Sequence, residues 1–148
     1  MTLEERKKLF CESWKQFKQN LKLLKTSIER IKNLDKLDEI QRGEAIEAFL
    51  SRYSRTVDLL INRVLRGLDI LEMEDTSKKL DIVIRAEKRG FIKDFNVLIE
   101  MKDLRNELAH EYVQERLEAR IEEALQYSLE IFIIAEKIEK YLKENRYC

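Results

Sequence analysis

The chain carries a single histidine, His110, within the segment Met101-Lys-Asp-Leu-Arg-Asn-Glu-Leu-Ala-His-Glu-Tyr112. Continued as a helix at about 100° per residue, this segment turns Val97, Met101, Leu104 and Leu108 toward a core and leaves His110 roughly 150° away from them. Asp103, Asn106 and His110 then share one outward face, and Arg105 and Tyr112 share another. An acid and an amide beside an imidazole can orient the ring for proton transfer. A nearby guanidinium offers phosphate a planar fork of donors. The plainer reading of the same residues is a solvated helix end, with His110 and Glu111 in its last turn and Arg105 paired to a neighbouring glutamate.

Other chemistry is harder to place. The sequence has no GxGxxG, GxxxxGK[ST], HExxH, CxxC or GxSxG string, which removes several nucleotide-binding, metalloprotease and hydrolase classes. One histidine and two separated cysteines do not make a tetrahedral zinc set. Nor does one histidine supply the two Glu-x-x-His pairs of a di-metal bundle within a monomer. No cofactor or metal is expected. Tyr53, Phe91, Phe95 and Tyr127 read as core or interface aromatics rather than base-stacking platforms, and Trp14 reads as core.

The elements that position these residues follow from hydrophobic spacing. Leu3, Phe10, Trp14, Phe17, Leu21, Leu24, Ile28 and Ile31 recur at steps of three, four and seven, which predicts one long amphipathic helix. Residues 33 to 41 read as a turn. A second helix is expected from about Gln41 to Leu71, with Ile46, Phe49, Tyr53, Leu60, Val64, Leu68 and Leu71 on one stripe and Gly67 weakening its end. Asp75-Thr76-Ser77 supplies capping residues for a third helix over Lys78 to Arg89, which Gly90 would close. Asp94 is placed to cap a fourth, Phe95 to Ala109. A last helix over Gln114 to Lys143 carries Leu117, Ile121, Ala124, Ser128, Ile131, Ala135, Ile138 and Leu142.

These patterns predict one all-α domain over residues 1–148, an antiparallel bundle of four to five helices. A coiled coil is the alternative, because the seams of the first and last helices run for several heptads. With no proline and three glycines in 148 residues, the chain lacks the turn residues of a many-stranded sandwich or barrel. Hydrophobic residues make up 44% and charged residues 39%, enough for both a core and a charged solvent face.

Twenty-nine basic residues balance 29 acidic ones, so bulk positive charge is not what would hold a nucleic acid. The first 33 residues hold nine Lys and Arg against four Glu. Lys7, Lys8, Lys15, Lys18, Lys22 and Lys25 there would attract phosphate, or simply form a solvated helix face, the commoner outcome. The amino terminus lacks an apolar signal core and no stretch nears the roughly 20 apolar residues of a membrane span. A cytoplasmic chain with no membrane contact is expected, with Cys11 and Cys148 as reduced thiols.

Arg105-x4-His110-x-Tyr112 resembles the Arg-x4-His-x-Tyr signature of the HEPN superfamily, in particular HepT-like toxins and the similar nucleotidyltransferase substrate-binding proteins. The segment from Gly90-Phe-Ile-Lys-Asp to Tyr112 is similar to the family's approach to that motif. Ile40-Gln-Arg-Gly-Glu-Ala-Ile-Glu-Ala-Phe49 is weakly similar to its second-helix opening. The resemblance implies a helical bundle that forms a homodimer, with paired motifs meeting at a shared cleft. It also implies metal-independent cleavage of RNA, neutralised by a cognate minimal nucleotidyltransferase antitoxin that attaches AMP to the motif tyrosine.

Carried over by position, Arg105 and His110 would be catalytic, Asn106 and Asp103 supporting, and Tyr112 the modified residue. One imidazole does not easily serve as base for the 2′-hydroxyl and acid for the leaving oxygen in one step; a two-fold dimer brings two. Two other readings stay open at this point. The chain would be a non-catalytic partner that docks a nucleotidyltransferase, or a coiled-coil scaffold in which the Arg-His-Tyr string is coincidental.

Overall fold

A computed structural model describes all of residues 1–148. The chain is all-helical, and its helices pack together around one core. In order they are α1 (Leu3–Ile31), a 3₁₀ turn (Leu34–Lys36), α2 (Glu39–Leu59), a π-helical stretch (Leu60–Leu65), α3 (Arg66–Leu71), α4 (Lys79–Lys88), α5 (Asn96–Leu108), α6 (Gln114–Glu118) and α7 (Ile121–Glu144). The stretch from α2 through the π turn to α3 is unbroken, as the apolar stripe predicts.

The amino-terminal ends of the first two helices are fixed by local chemistry. Thr2 and Glu5 cap α1 reciprocally, each side chain bonding the other's backbone N–H, and Asp38 and Gln41 do the same for α2. At the other end of the core, Gly90 at φ 84° terminates α4, with Phe91 N–H donating back to the Ala86 carbonyl. Only a residue without Cβ takes that left-handed turn freely.

Side-chain contacts give the directions of the long helices. Phe10 lies against Gly67, Asn20 donates to the Thr56 hydroxyl at 2.6 Å, and Arg52 donates to Ser27, so α1 runs antiparallel to α2 and α3. Lys25 sits over the Phe132 ring and the Trp14 indole donates to Glu139, which makes α7 antiparallel to α1 as well. The two long rods flanking α1 therefore share one direction. The shorter α5 carries the chain back, with Phe91 before it against Tyr141 and Glu100 within it against Tyr127. Gly67 explains itself here: a Cβ at this position would lie 3.3 Å from Phe10, so glycine lets α1 approach closely.

The predicted stripes form the core. Phe17, Leu24, Ile46, Phe49, Tyr53, Leu60, Val64 and Leu68 are fully buried, as are Met101, Leu104 and Ile138. Trp14, Tyr53 and Phe91 are buried; Phe95 and Tyr127 are half-buried against the same cluster. The Tyr53 hydroxyl, 2.9 Å from the Met101 carbonyl, ties α2 to α5. Burial first, then the nearby Tyr127 phenol and the Glu123 charge, push this phenol far above its ordinary value.

Three expectations are corrected. The last helix is not continuous: it breaks at Ala119 and Arg120, where Arg120 turns its guanidinium to Glu107 of α5 and to Glu123. The stretch Asp75-Thr76-Ser77 does not cap α4, because Asp75 instead closes a local turn on Ser77 N–H and the helix starts after Lys78. Cys11 and Cys148 are not free thiols. They form a disulfide, since the antiparallel course of α7 brings the chain's last residue back to the first turns of α1.

Candidate functional site

Arg105 stands in the last turn of α5, one turn beyond the Met101 carbonyl that Tyr53 holds. Leu104, buried beside it, fixes the helix rotation that sends Arg105 across to α2. There its Nε and Nη2 both donate to Asp58 Oδ2, at 3.1 and 2.8 Å. The pair is about one-third exposed on each side. Asn106 accepts a long 3.5 Å contact from Arg105 Nη1. The second Nη1 hydrogen is left to meet an anion.

Around this pair lies an open cleft of about 340 Å³ between the π turn, α4 and α5. Arg55, Arg63, Lys79, Lys102 and Arg105 line it against one acid, Asp58; Asn62 and Asn106 add neutral polar edges. Of the five cations only Arg105 has an ion-pair partner. Five cations against one acid thus give the cleft beside the Arg105 side chain a local positive excess, in a protein with no net charge.

A second cleft of about 370 Å³ opens on the other side of Arg105. Its floor is Leu50, Leu108 and Leu117, and Tyr112 stands at its edge. Tyr112 is 87% exposed. The turn that presents it is held by Glu111, whose Oε1 accepts from the backbone N–H groups of Tyr112 and Val113 at 3.1 and 3.0 Å.

His110 lies just past the helix. The ladder tightens at Leu108, with His110 N–H reaching the Glu107 carbonyl and Glu111 N–H the Leu108 carbonyl, three residues back in each case. The chain then leaves the helical wheel, and the face expected to unite Asp103, Asn106 and His110 is not continued. The imidazole is exposed and lines neither cleft. No hydrogen bond joins it to Asp103 or Asn106 in one chain, and Asp103 is exposed and unpaired. Arg105 and Asn106 are therefore brought to the cationic cleft, Tyr112 to the apolar one, while His110 stands free between helices α5 and α6.

No protein-family model matches the chain, and no curated protein or solved structure is significantly similar to it. The site is therefore read from its side chains. No three His, Cys, Asp or Glu residues are grouped as a metal set, and no helix is long and apolar enough to cross a membrane.

The lysines of α1 do not take part in either cleft. Lys18 lies over the Trp14 ring, Lys25 over Phe132, and Lys7 faces Glu4, the solvated arrangement that a charged helix face ordinarily adopts. Arg55, Arg63, Lys79 and Lys102 had no place in the sequence reading. A signal did exist: between Ser51 and Gly67 the chain has Arg52, Arg55, Arg63 and Arg66 against the lone acid Asp58. The balanced total charge conceals that local excess.

Proposed function

We propose that the chain is an RNA-cleaving protein of the HepT-like kind, acting as a homodimer without metal and restrained by a cognate minimal nucleotidyltransferase. The observation that carries this reading is the cluster of unpaired cations beside Arg105, one turn from an exposed imidazole. Such a cleft suits a phosphodiester. Arg105 would meet the scissile phosphate through its remaining Nη1 hydrogen, with the Asn106 amide adding a hydrogen bond.

The chemistry uses the RNA's own nucleophile. His110 of one protomer takes the proton from the 2′-hydroxyl as O2′ bonds to phosphorus, and the phosphorane charge is met by Arg105. The P–O5′ bond breaks, and protonated His110 of the partner subunit gives O5′ its proton. The products are a 2′,3′-cyclic phosphate and a 5′-hydroxyl. An imidazole that is exposed and unliganded in one protomer is what such a shared site requires.

Tyr112 supplies the restraint. Its hydroxyl oxygen would attack the α-phosphorus of ATP bound by the nucleotidyltransferase, forming the tyrosyl–AMP bond as pyrophosphate leaves. The added phosphate stands on the far side of Arg105 and competes with RNA for it. The exposure of Tyr112 above an apolar groove also favours a second reading, in which the chain is a non-catalytic substrate of the nucleotidyltransferase.

The test is digestion of bulk RNA in EDTA by protein whose intact mass shows no adduct. Cleavage with cyclic phosphate ends is expected, falling about 10²- to 10⁴-fold in His110→Ala. Its specific rate should fall on dilution through the dimer dissociation range. Absence of cleavage by unmodified dimer, with AMP still accepted at Tyr112, would select the second reading.

A further inference from the structure

The cationic cleft does not end at the π turn. Asn62 and Arg63 also form the wall of a third recess, about 490 Å³, which lies between α1 and α3. Arg6 and Arg66 add two more cations there, against the single acid Glu12. Arg63 and Arg66 are exposed, and neither pairs with a carboxylate. Arg6 bonds only the Met1 carbonyl, and its Nε lacks any acceptor. From Arg6 to Arg105 the surface is thus a continuous basic path across the π-helical ridge.

We propose that this path binds an extended single strand of RNA, with Arg63 as the bridge between a subsite at Arg105 and a second subsite at Arg6 and Arg66. The inference rests on the RNA-cleaving reading and adds the form of the substrate. The two recesses sit on opposite flanks of one helix, so a ligand that fills both must bend over it. A flexible single strand can do this. A rigid A-form duplex keeps its phosphates on a cylinder and cannot lower them into both recesses.

The lining also says what is recognised. Neither recess presents an exposed aromatic ring, since Phe10, the sole aromatic in them, is 2% exposed. Arginine therefore does the holding, by forked contacts to phosphate and by stacking of the guanidinium plane on bases. Binding of this kind follows strand length and salt, with little regard to base identity.

The experiment uses the disulfide-bonded full chain and 2′-O-methyl oligouridines of about 2 to 12 nucleotides, which cannot be cleaved, with affinity read by fluorescence anisotropy over a salt series. Affinity should climb with length until both recesses are filled. In the Arg6→Ala, Arg66→Ala double variant the longest strand should bind roughly tenfold more weakly, with the slope of log affinity against log salt reduced by about 1.4. Arg66→Lys, which keeps the charge, should keep the slope, and thermal melting shows that each variant is folded. Equal affinity for short and long strands, an unchanged slope, preference for an RNA duplex, or displacement by polyglutamate at equal charge would each overturn the proposal. The two readings fail separately. Cleavage without length dependence removes the path and keeps the nuclease; length-dependent binding without cleavage of ordinary RNA does the reverse.

Discussion

Asp58 is the residue that sets how available Arg105 is. It spends one carboxylate oxygen on two of the guanidinium donors and is the only negative charge in a cleft of five cations. Both partners are substantially solvated, so the pair contributes little to stability. Its effect falls on the field that an incoming phosphate meets. Asp58→Asn should therefore tighten RNA binding by about three- to tenfold at low salt, and the gain should shrink as screening shortens the range of the charge. Anisotropy titrations at two salt concentrations check this. Weaker binding in the variant would mean that Asp58 matters more for aiming Arg105 than for neutralising it.

At the scale of the elements, the joints that present the site rest on a few buried polar contacts. Tyr53→Phe removes the hydroxyl that holds the Met101 carbonyl and should cost about 1 kcal/mol in urea unfolding. A larger joint ties α3, α4 and α7. Glu72 accepts from Arg89, Tyr141 and Tyr147, next to the buried Asp69 that Arg85 and Arg89 hold. Burial alone would raise the Glu72 carboxyl, but the hydroxyls of Tyr141 and Tyr147 and the Arg89 guanidinium outweigh it and hold the group below its ordinary 4.5. A carboxyl with a lowered folded value stabilises the protein above its unfolded value, and that contribution is lost as pH falls through the folded one. Stability should thus decline below about pH 4.5, and Glu72→Gln should flatten the decline; urea midpoints between pH 3 and 6 read it. Of the helices in this joint, α3 and α7 were legible from their apolar stripes and α4 from the polar stretch before it and Gly90 after it. The joint itself was not. Asp69, Glu72, Arg85 and Arg89 look like surface charges in the sequence, and only the fold removes Asp69 from water. The break at Arg120 was hidden for the same reason: Leu117, Ile121 and Ala124 continue the helical spacing, no glycine or proline interrupts it, and the partner that draws Arg120 aside lies on α5.

For the molecule as a whole, the disulfide is the feature that the sequence concealed most fully. Two cysteines separated by 137 positions, one of them the last residue, carry no framework pattern. Their pairing depends on three helices laid in order: α1 starts beside the end of α3, α7 runs back along α1, and the final turn is anchored through Tyr147 on Glu72. Burial, then the Glu72 carboxylate, push that tyrosine up to about 12, so the anchor holds through the neutral range. Closing a loop of this length restricts the unfolded chain far more than the folded one, where the two Cα atoms already lie 5.7 Å apart. Chain entropy then gives roughly 4 to 5 kcal/mol of stabilisation, which reduction or Cys148→Ser should remove. Urea unfolding with and without reductant measures the loss. The reduced protein should keep its helical circular dichroism at neutral pH, because neither the buried core contacts nor the Glu72 anchor depends on the S–S bond. Alkylation of two free thiols in unreduced, denatured protein would show that the bridge does not form. A stability difference well under 2 kcal/mol, with the bridge intact by mass, would show instead that the unfolded chain already holds its two ends together.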